Sequence, residues 1–107
     1  MTTVTICVAT YRRAGQLAAL LESLATMENG PNLVVSLVIV DNDAAGSGRD
    51  AHHAFVRRCR FPVCYLIEPK RGIPLARNAG VRLARGDWIA FVDDDEVVTR
   101  QWLRRLV

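Results

Sequence analysis

Lysine is nearly absent from this 107-residue chain, where Lys70 stands alone among 14 basic residues. Cysteine is scarce as well: Cys7, Cys59 and Cys64 make an odd number and include no CxxC pair. That pattern argues against a disulfide scaffold and suggests a reducing compartment. No apolar segment reaches the ~18 residues a membrane helix needs. Met1-Thr2-Thr3 leads straight into a strand, with no basic region and no long apolar stretch, so no signal peptide is visible. The expected location is the cytoplasm, with peripheral attachment to a membrane as a second expectation. GxGxxG and GxxxxGK[ST] are both missing, which argues against a dinucleotide enzyme and a P-loop NTPase. There is no aromatic interleaving among the basic residues and no zinc-finger or RNP-like pattern, so no nucleic-acid partner is expected.

What is there is an ordinary globular composition, 50% hydrophobic and 23% charged, long enough for one compact domain. The net charge of +3 is a mild basic excess. Its bases gather in Arg12-Arg13, Arg57-Arg58-Cys59-Arg60, Lys70-Arg71 and the stretch from Arg100 to Arg105. Such an excess suits anionic ligands or an acidic membrane surface.

Continuous apolar runs predict strands over residues 4–9, 33–40, 63–67 and 88–92. Leu17, Leu20, Leu21 and Leu24 recur at helical spacing, and Asn29-Gly30-Pro31-Asn32 ends that helix. Ser47, with Asp50 three residues on, is the expected cap of a second helix whose Ala51, Ala54 and Phe55 face the sheet. Pro74 fits the first turn of a third helix, with Leu75, Ala76, Ala79, Leu83 and Ala84 on its inner face. Thr99 is the expected cap of a last helix carrying Trp102, Leu103 and Leu106. The order βαβαβαβα, with unbroken rather than alternating strands, predicts an α/β fold. Its core is a mainly parallel four-stranded, Rossmann-like sheet with helices on both faces.

Ligands of open α/β sheets bind beyond the carboxyl ends of the strands. The polar landmarks fall there: Thr10-Tyr11, Asp41-Asn42-Asp43, Lys70-Arg71, and the four acids Asp93-Asp94-Asp95-Glu96. Four adjacent carboxylates repel one another unless a cation sits among them. Mg²⁺ or Mn²⁺ held by one or two acids, with bases nearby, is what a diphosphate ligand requires. His52 and His53 are adjacent and share no helix face, so no metal site is expected there. Trp88 and Trp102 are expected in the core. Arg77-Asn78 is open between structural support, Asn78 bonding neighbouring loops, and ligand contact.

These residues resemble the N-terminal, nucleotide-binding half of a family 2 glycosyltransferase of the GT-A fold. The resemblance rests on Val8-Ala9-Thr10-Tyr11-Arg12-Arg13, Val38-Ile39-Val40-Asp41-Asn42, the run from Arg71 to Gly80, and the run from Ala84 to Glu96. It implies that Thr10 and Tyr11 line the base and ribose pocket and that Asp41 accepts the N–H of a uracil-like base. Arg71 then approaches the nucleotide, and Asp93 and Asp95 form the DxD pair. Asp93 is turned toward ribose and metal, and Asp95 is the more direct ligand of Mn²⁺ or Mg²⁺. Asp94 becomes the variable middle residue, directed into the sheet or to solvent, and Glu96 has no assigned role.

The implied function is transfer of a glycosyl group, inverting in the family's manner, from a UDP-sugar to an acceptor saccharide or lipid-linked glycan of cell-wall or polysaccharide synthesis. Family members run beyond this length, with their acceptor pocket and general base after the DxD. Residues 1–107 therefore read as the nucleotide-binding part, without the acceptor-binding part or the base, and inactive in transfer alone. An exposed apolar edge at the DxD strand is expected to promote homodimers. The alternatives are a non-catalytic nucleotide-sugar or regulatory module on the same fold, and a phosphoacceptor receiver domain. The receiver domain needs an acidic pair after the first strand and a lysine near the end, and the chain has neither.

Overall fold

The computed structural model describes residues 1–106. Its elements are β1 (Thr2–Thr10), α1 (Ala14–Thr26), β2 (Leu33–Asp41), α2 (Arg49–Val56), β3 (Val63–Ile67), α3 (Ile73–Leu83), β4 (Trp88–Asp93) and α4 (Trp102–Leu106). The strands form one parallel sheet in the order β3-β2-β1-β4. This is the expected α/β architecture, and the reason is hydrophobic. β1 and β2 are central and covered on both faces, which is why their sequences read as unbroken apolar runs.

The two faces are built differently. On one, Leu17, Leu20, Leu21 and Leu24 of α1 bury completely against Ile6, Val8, Leu37 and Ile39, with Phe55 of α2 and Leu103 of α4 beside them. Each such leucine contributes about 1.5–3 kcal/mol by leaving water. On the other face α3 lies close, on small residues. Ala76 and Ala79 are buried, and a Cβ at Gly80 would meet a Val40 methyl at 3.4 Å and the Cys7 sulfur at 3.6 Å. Leu75 and Leu83 are therefore more than 40% exposed rather than on the inner face. Ala54 also points away from the sheet, leaving Phe55 to anchor α2. Ser47 is not the cap of α2. Gly48 holds that position, and its N–H donates to Asp41 instead.

The strand order makes β4 an edge strand, and because α3 packs on β1 and β2 it leaves Phe91 46% and Ile89 39% exposed. Trp88 corrects the sequence expectation most clearly. It is 59% exposed, since no neighbour lies beyond β4 to cover it. The amino end of β4 is pinned to β1 by Thr3, whose N–H donates to Asp87 Oδ2 at 3.1 Å. Gly86 permits that approach: its φ is +114°, and a Cβ there would sit 2.3 Å from Thr3 Oγ1. No helix among the described residues is long and apolar enough to cross a membrane.

Candidate functional site

A cleft of about 500 Å³ opens at the carboxyl ends of β1, β2 and β4, within the size range of small-molecule sites. Thr10, Tyr11, Arg13, Asn42, Arg71, Arg77, Asp93, Asp94 and Asp95 line it. Of the residues singled out from sequence, Thr10, Tyr11, Arg71, Asp93 and Asp95 are brought together here.

Tyr11 follows the last residue of β1, and the chain turns sharply at Arg12, whose φ is +51°. The Arg71 guanidinium lies 3.8 Å over the centroid of the Tyr11 ring. Arg71 is held there by Asn42. Its amide donates to the carbonyls of Glu68 and Lys70 at 2.8 and 2.9 Å and accepts the Gly72 N–H at 3.0 Å. A single side chain with two donors and an acceptor thus closes the loop between β3 and α3. Sequence reasoning noted Asn42 only as part of a polar cluster. Its position directly after a central strand was the available signal.

Asp41 does not line the cleft. It is fully buried beneath it, and both oxygens are taken. Oδ1 accepts the Asp43 N–H at 3.0 Å, while Oδ2 accepts the Gly48 N–H at 2.8 Å and the Tyr65 hydroxyl at 2.5 Å. Three donors from the chain itself thus occupy three of the roughly four acceptor sites of this carboxylate. Asp41 instead folds the segment from Asp43 to Gly48 back against the end of β2.

The acidic turn divides by direction. Asp93 and Asp95 have side chains 65% and 55% exposed, whereas Asp94 is buried. Thr10 Oγ1 donates to Asp94 Oδ2 at 2.9 Å, and Arg13 Nη1 lies 3.3 Å from Oδ1. Glu96 shapes the turn: its carboxylate accepts the Asp93 N–H at 3.0 Å while its own N–H donates to the Asp93 carbonyl at 3.1 Å. Arg77 lies 3.8 Å from Asp93 Oδ1, and Arg13 3.8 Å from Asp95 Oδ2. These half-exposed pairs are worth little in stability. They do set cationic nitrogens on both sides of two carboxylates. Asn78 is exposed on α3, and it is its neighbour Arg77 that reaches the cleft.

Among the described residues no three His, Cys, Asp or Glu side chains gather as a metal cage. Two exposed carboxylates are nonetheless the donor set that a hard cation uses when water and phosphate oxygens complete its shell. The residues fit Mg²⁺ or Mn²⁺ in that role. His52 has another setting, stacked on Tyr65 with centroids 5.0 Å apart. Burial lowers its pKa, with the charge of His53 adding to the effect. The Ala45 N–H, followed by Ser47, holds the Asp43 carboxyl below its ordinary value.

Burial, reinforced by the hydrogen bond to Asp41, raises the Tyr65 pKa above its ordinary 10.0. In the folded chain Tyr65 keeps its proton where the unfolded chain loses it. Stability is therefore full below pH 10 and declines as pH rises above it. Urea midpoints measured across that pH should fall for the parent chain and fall less for Tyr65→Phe. Equal slopes would refute this account.

Over residues 5–107 the sequence matches the family model described as Glycosyl transferase family 2. The succinoglycan biosynthesis protein ExoM of Rhizobium meliloti (strain 1021) is 38% identical over 102 residues, covering 95% of this chain and 33% of that protein. The putative glycosyltransferase EpsH of Bacillus subtilis (strain 168) is 28% identical over 107 residues, covering 97% of this chain and 29% of its own. The chain thus spans about a third of the length of the curated relatives it matches. Among solved structures, S. aureus TarS 1–349 superimposes with a TM-score of 0.80 at 23% identity, over 97% of this chain and 31% of that one. The mannosyltransferase PcManGT from Pyrobaculum calidifontis, in complex with GDP-Man and Mn²⁺, gives 0.81 at 22% identity, over 92% and 29%.

Proposed function

The chain belongs to glycosyl transferase family 2, and from that membership we propose that it binds a nucleoside-diphosphate sugar, a UDP-sugar first, with Mn²⁺ or Mg²⁺, for transfer to an acceptor hydroxyl in polysaccharide synthesis. The observation that carries this reading is the meeting, in one cleft, of Arg71 over Tyr11 with the outward carboxylates of Asp93 and Asp95. Further support comes from the likeness in fold to TarS in complex with UDP-GlcNAc, TM-score 0.76, and to PcManGT with GDP-Man and Mn²⁺.

The residues divide the work by their chemistry. The Tyr11 ring offers a face to the base, and Thr10 sets the floor beside the ribose. Arg71, Arg77 and Arg13 surround the diphosphate with donors. Asp93 and Asp95 would hold the cation, Asp95 as the more direct ligand and Asp93 serving the ribose as well. When bound, that cation neutralises charge on the departing nucleoside diphosphate. Asp41 acts on the site through the loop it folds rather than by touching the base. An inverting transfer needs a carboxylate to deprotonate the acceptor hydroxyl. We assign that group to residues outside 1–107, so that this chain holds donor without completing transfer. The proposed location is cytoplasmic.

Calorimetric titration of UDP and GDP, with and without Mn²⁺, tests the donor site. UDP should bind the parent chain more tightly with Mn²⁺, and Asp95→Asn should lose that metal-dependent increment. Binding indifferent to metal would sink the role given to Asp93 and Asp95.

The exposed backbone and apolar side chains of β4 also invite pairing with a second copy. Light scattering should give a mass that rises with concentration toward the dimer. A constant monomer mass would count against this contact.

A further inference from the structure

Two arginine runs take no part in the cleft, yet the fold brings them together. Arg57, Arg58 and Arg60 follow α2, and Arg100, Arg104 and Arg105 flank or lie on α4. All six are exposed; Arg58, Arg60, Arg100 and Arg104 meet the carboxyl end of α1, and Arg57 and Arg105 stand next to Arg58 and Arg104 in the chain. Arg58 pairs with Glu22, and Arg60 Nη2 donates to the Met27 carbonyl at 3.4 Å. From the other side, Arg100 and Arg104 reach Glu28 at 3.1 and 3.4 Å. Glu22 and Glu28 are the acids engaged on this face. The rest of the chain holds eight bases against nine acids, so its net charge of +3 is concentrated here.

We propose that this face docks on an acidic phospholipid surface, the six arginines meeting its headgroups. Two further observations favour a bilayer over a nucleic acid. The exposed apolar side chains beside the arginines are aliphatic, Val56 at 46% and Leu106 at 59% exposure, and suit the headgroup–acyl boundary. Stacking on bases would need free aromatic rings, and here Phe61 and Trp102 are packed against the core. The face lies at the amino ends of the strands, where α1 finishes. The cleft lies at their carboxyl ends, so a docked chain keeps it open to solution. The proposal stands apart from the donor reading, since docking needs neither nucleotide nor metal.

Co-sedimentation with vesicles of phosphatidylcholine, with and without phosphatidylglycerol, tests it. Each base near an anionic leaflet is worth about a fivefold change in partitioning. The chain should pellet with phosphatidylglycerol vesicles and stay in solution with neutral ones. The triple variant Arg57→Gln/Arg60→Gln/Arg105→Gln should bind on the order of 100-fold more weakly. The same three positions changed to Lys should bind like the parent, and matching circular-dichroism melts would show that the Gln variant folds. The proposal is overturned if the parent ignores acidic vesicles, if a folded Gln variant binds as the parent does, or if single-stranded RNA competes the chain off the vesicles at equal charge concentration.

Discussion

Asp41→Ala should destabilise the chain by about 3–5 kcal/mol, the cost of leaving buried donors without acceptors. The residue is fully buried and serves two backbone N–H groups and the Tyr65 hydroxyl. Removing the carboxylate strands two buried backbone N–H groups and takes the acceptor from a part-buried hydroxyl. Asp41→Asn keeps the size but puts an NH₂ where an oxygen must accept, so it should recover less than half of the loss. Tyr65→Phe, which deletes one hydroxyl partner, should cost about 1 kcal/mol. Urea denaturation of the three variants checks the order. An Asp41→Ala variant within about 1 kcal/mol of the parent would mean that the loop from Asp43 to Gly48 finds another anchor.

The second large effect separates residues that look alike in sequence. Asp94→Ala should cost about 2–4 kcal/mol, since the Thr10 hydroxyl loses its buried acceptor and Arg13 loses its closest carboxylate. Asp93→Ala and Asp95→Ala remove side chains more than half exposed and should stay within about 0.5 kcal/mol of the parent. Their effect should fall on metal-dependent nucleotide binding instead. Thr10→Val combined with Asp94→Ala should cost less than the sum of the two single changes, because the pair shares one bond. Additive costs would show that Thr10 and Asp94 act separately.

The same residues show how far the sequence could be read. The order of elements was legible because central parallel strands are apolar on both faces and their helices carry the apolar spacing of a single buried side. The division of Asp93, Asp94 and Asp95 was implied by the resemblance, in which Asp94 is the variable middle residue of the DxD, and the burial along β4 supplies its physical reason. Ala90 and Val92 face the core, and Asp94 continues their side while Asp93 and Asp95 point away. Asp94 was expected in the sheet or in solvent, and alternation selects the first.

Trp88 was misplaced because an apolar run looks the same whether or not another strand lies beyond it. Position within a sheet is set by partners, not by the strand's own residues. The Asp41 network was out of reach for a different reason. Its donors come from Asp43, Gly48 and Tyr65, and only the folded path of the chain makes them neighbours. Arg13 and Arg77 were visible as charges, but their aim into the cleft depends on where α1 and α3 start.

The strand order also dictates when the cleft comes into being. β4 joins the sheet beside β1, and the bonds that seal this seam, Thr3 with Asp87 and Thr10 with Asp94, each span 84 residues. Contacts so distant close late, after the local helices and the β1–β2 pair have formed. During synthesis β1 must wait with one edge open until nearly the whole segment has emerged. Every intermediate that lacks β4 carries the Tyr11–Asn42–Arg71 wall without its acidic counterpart. The nascent chain therefore cannot assemble both walls of the cleft until β4 has docked.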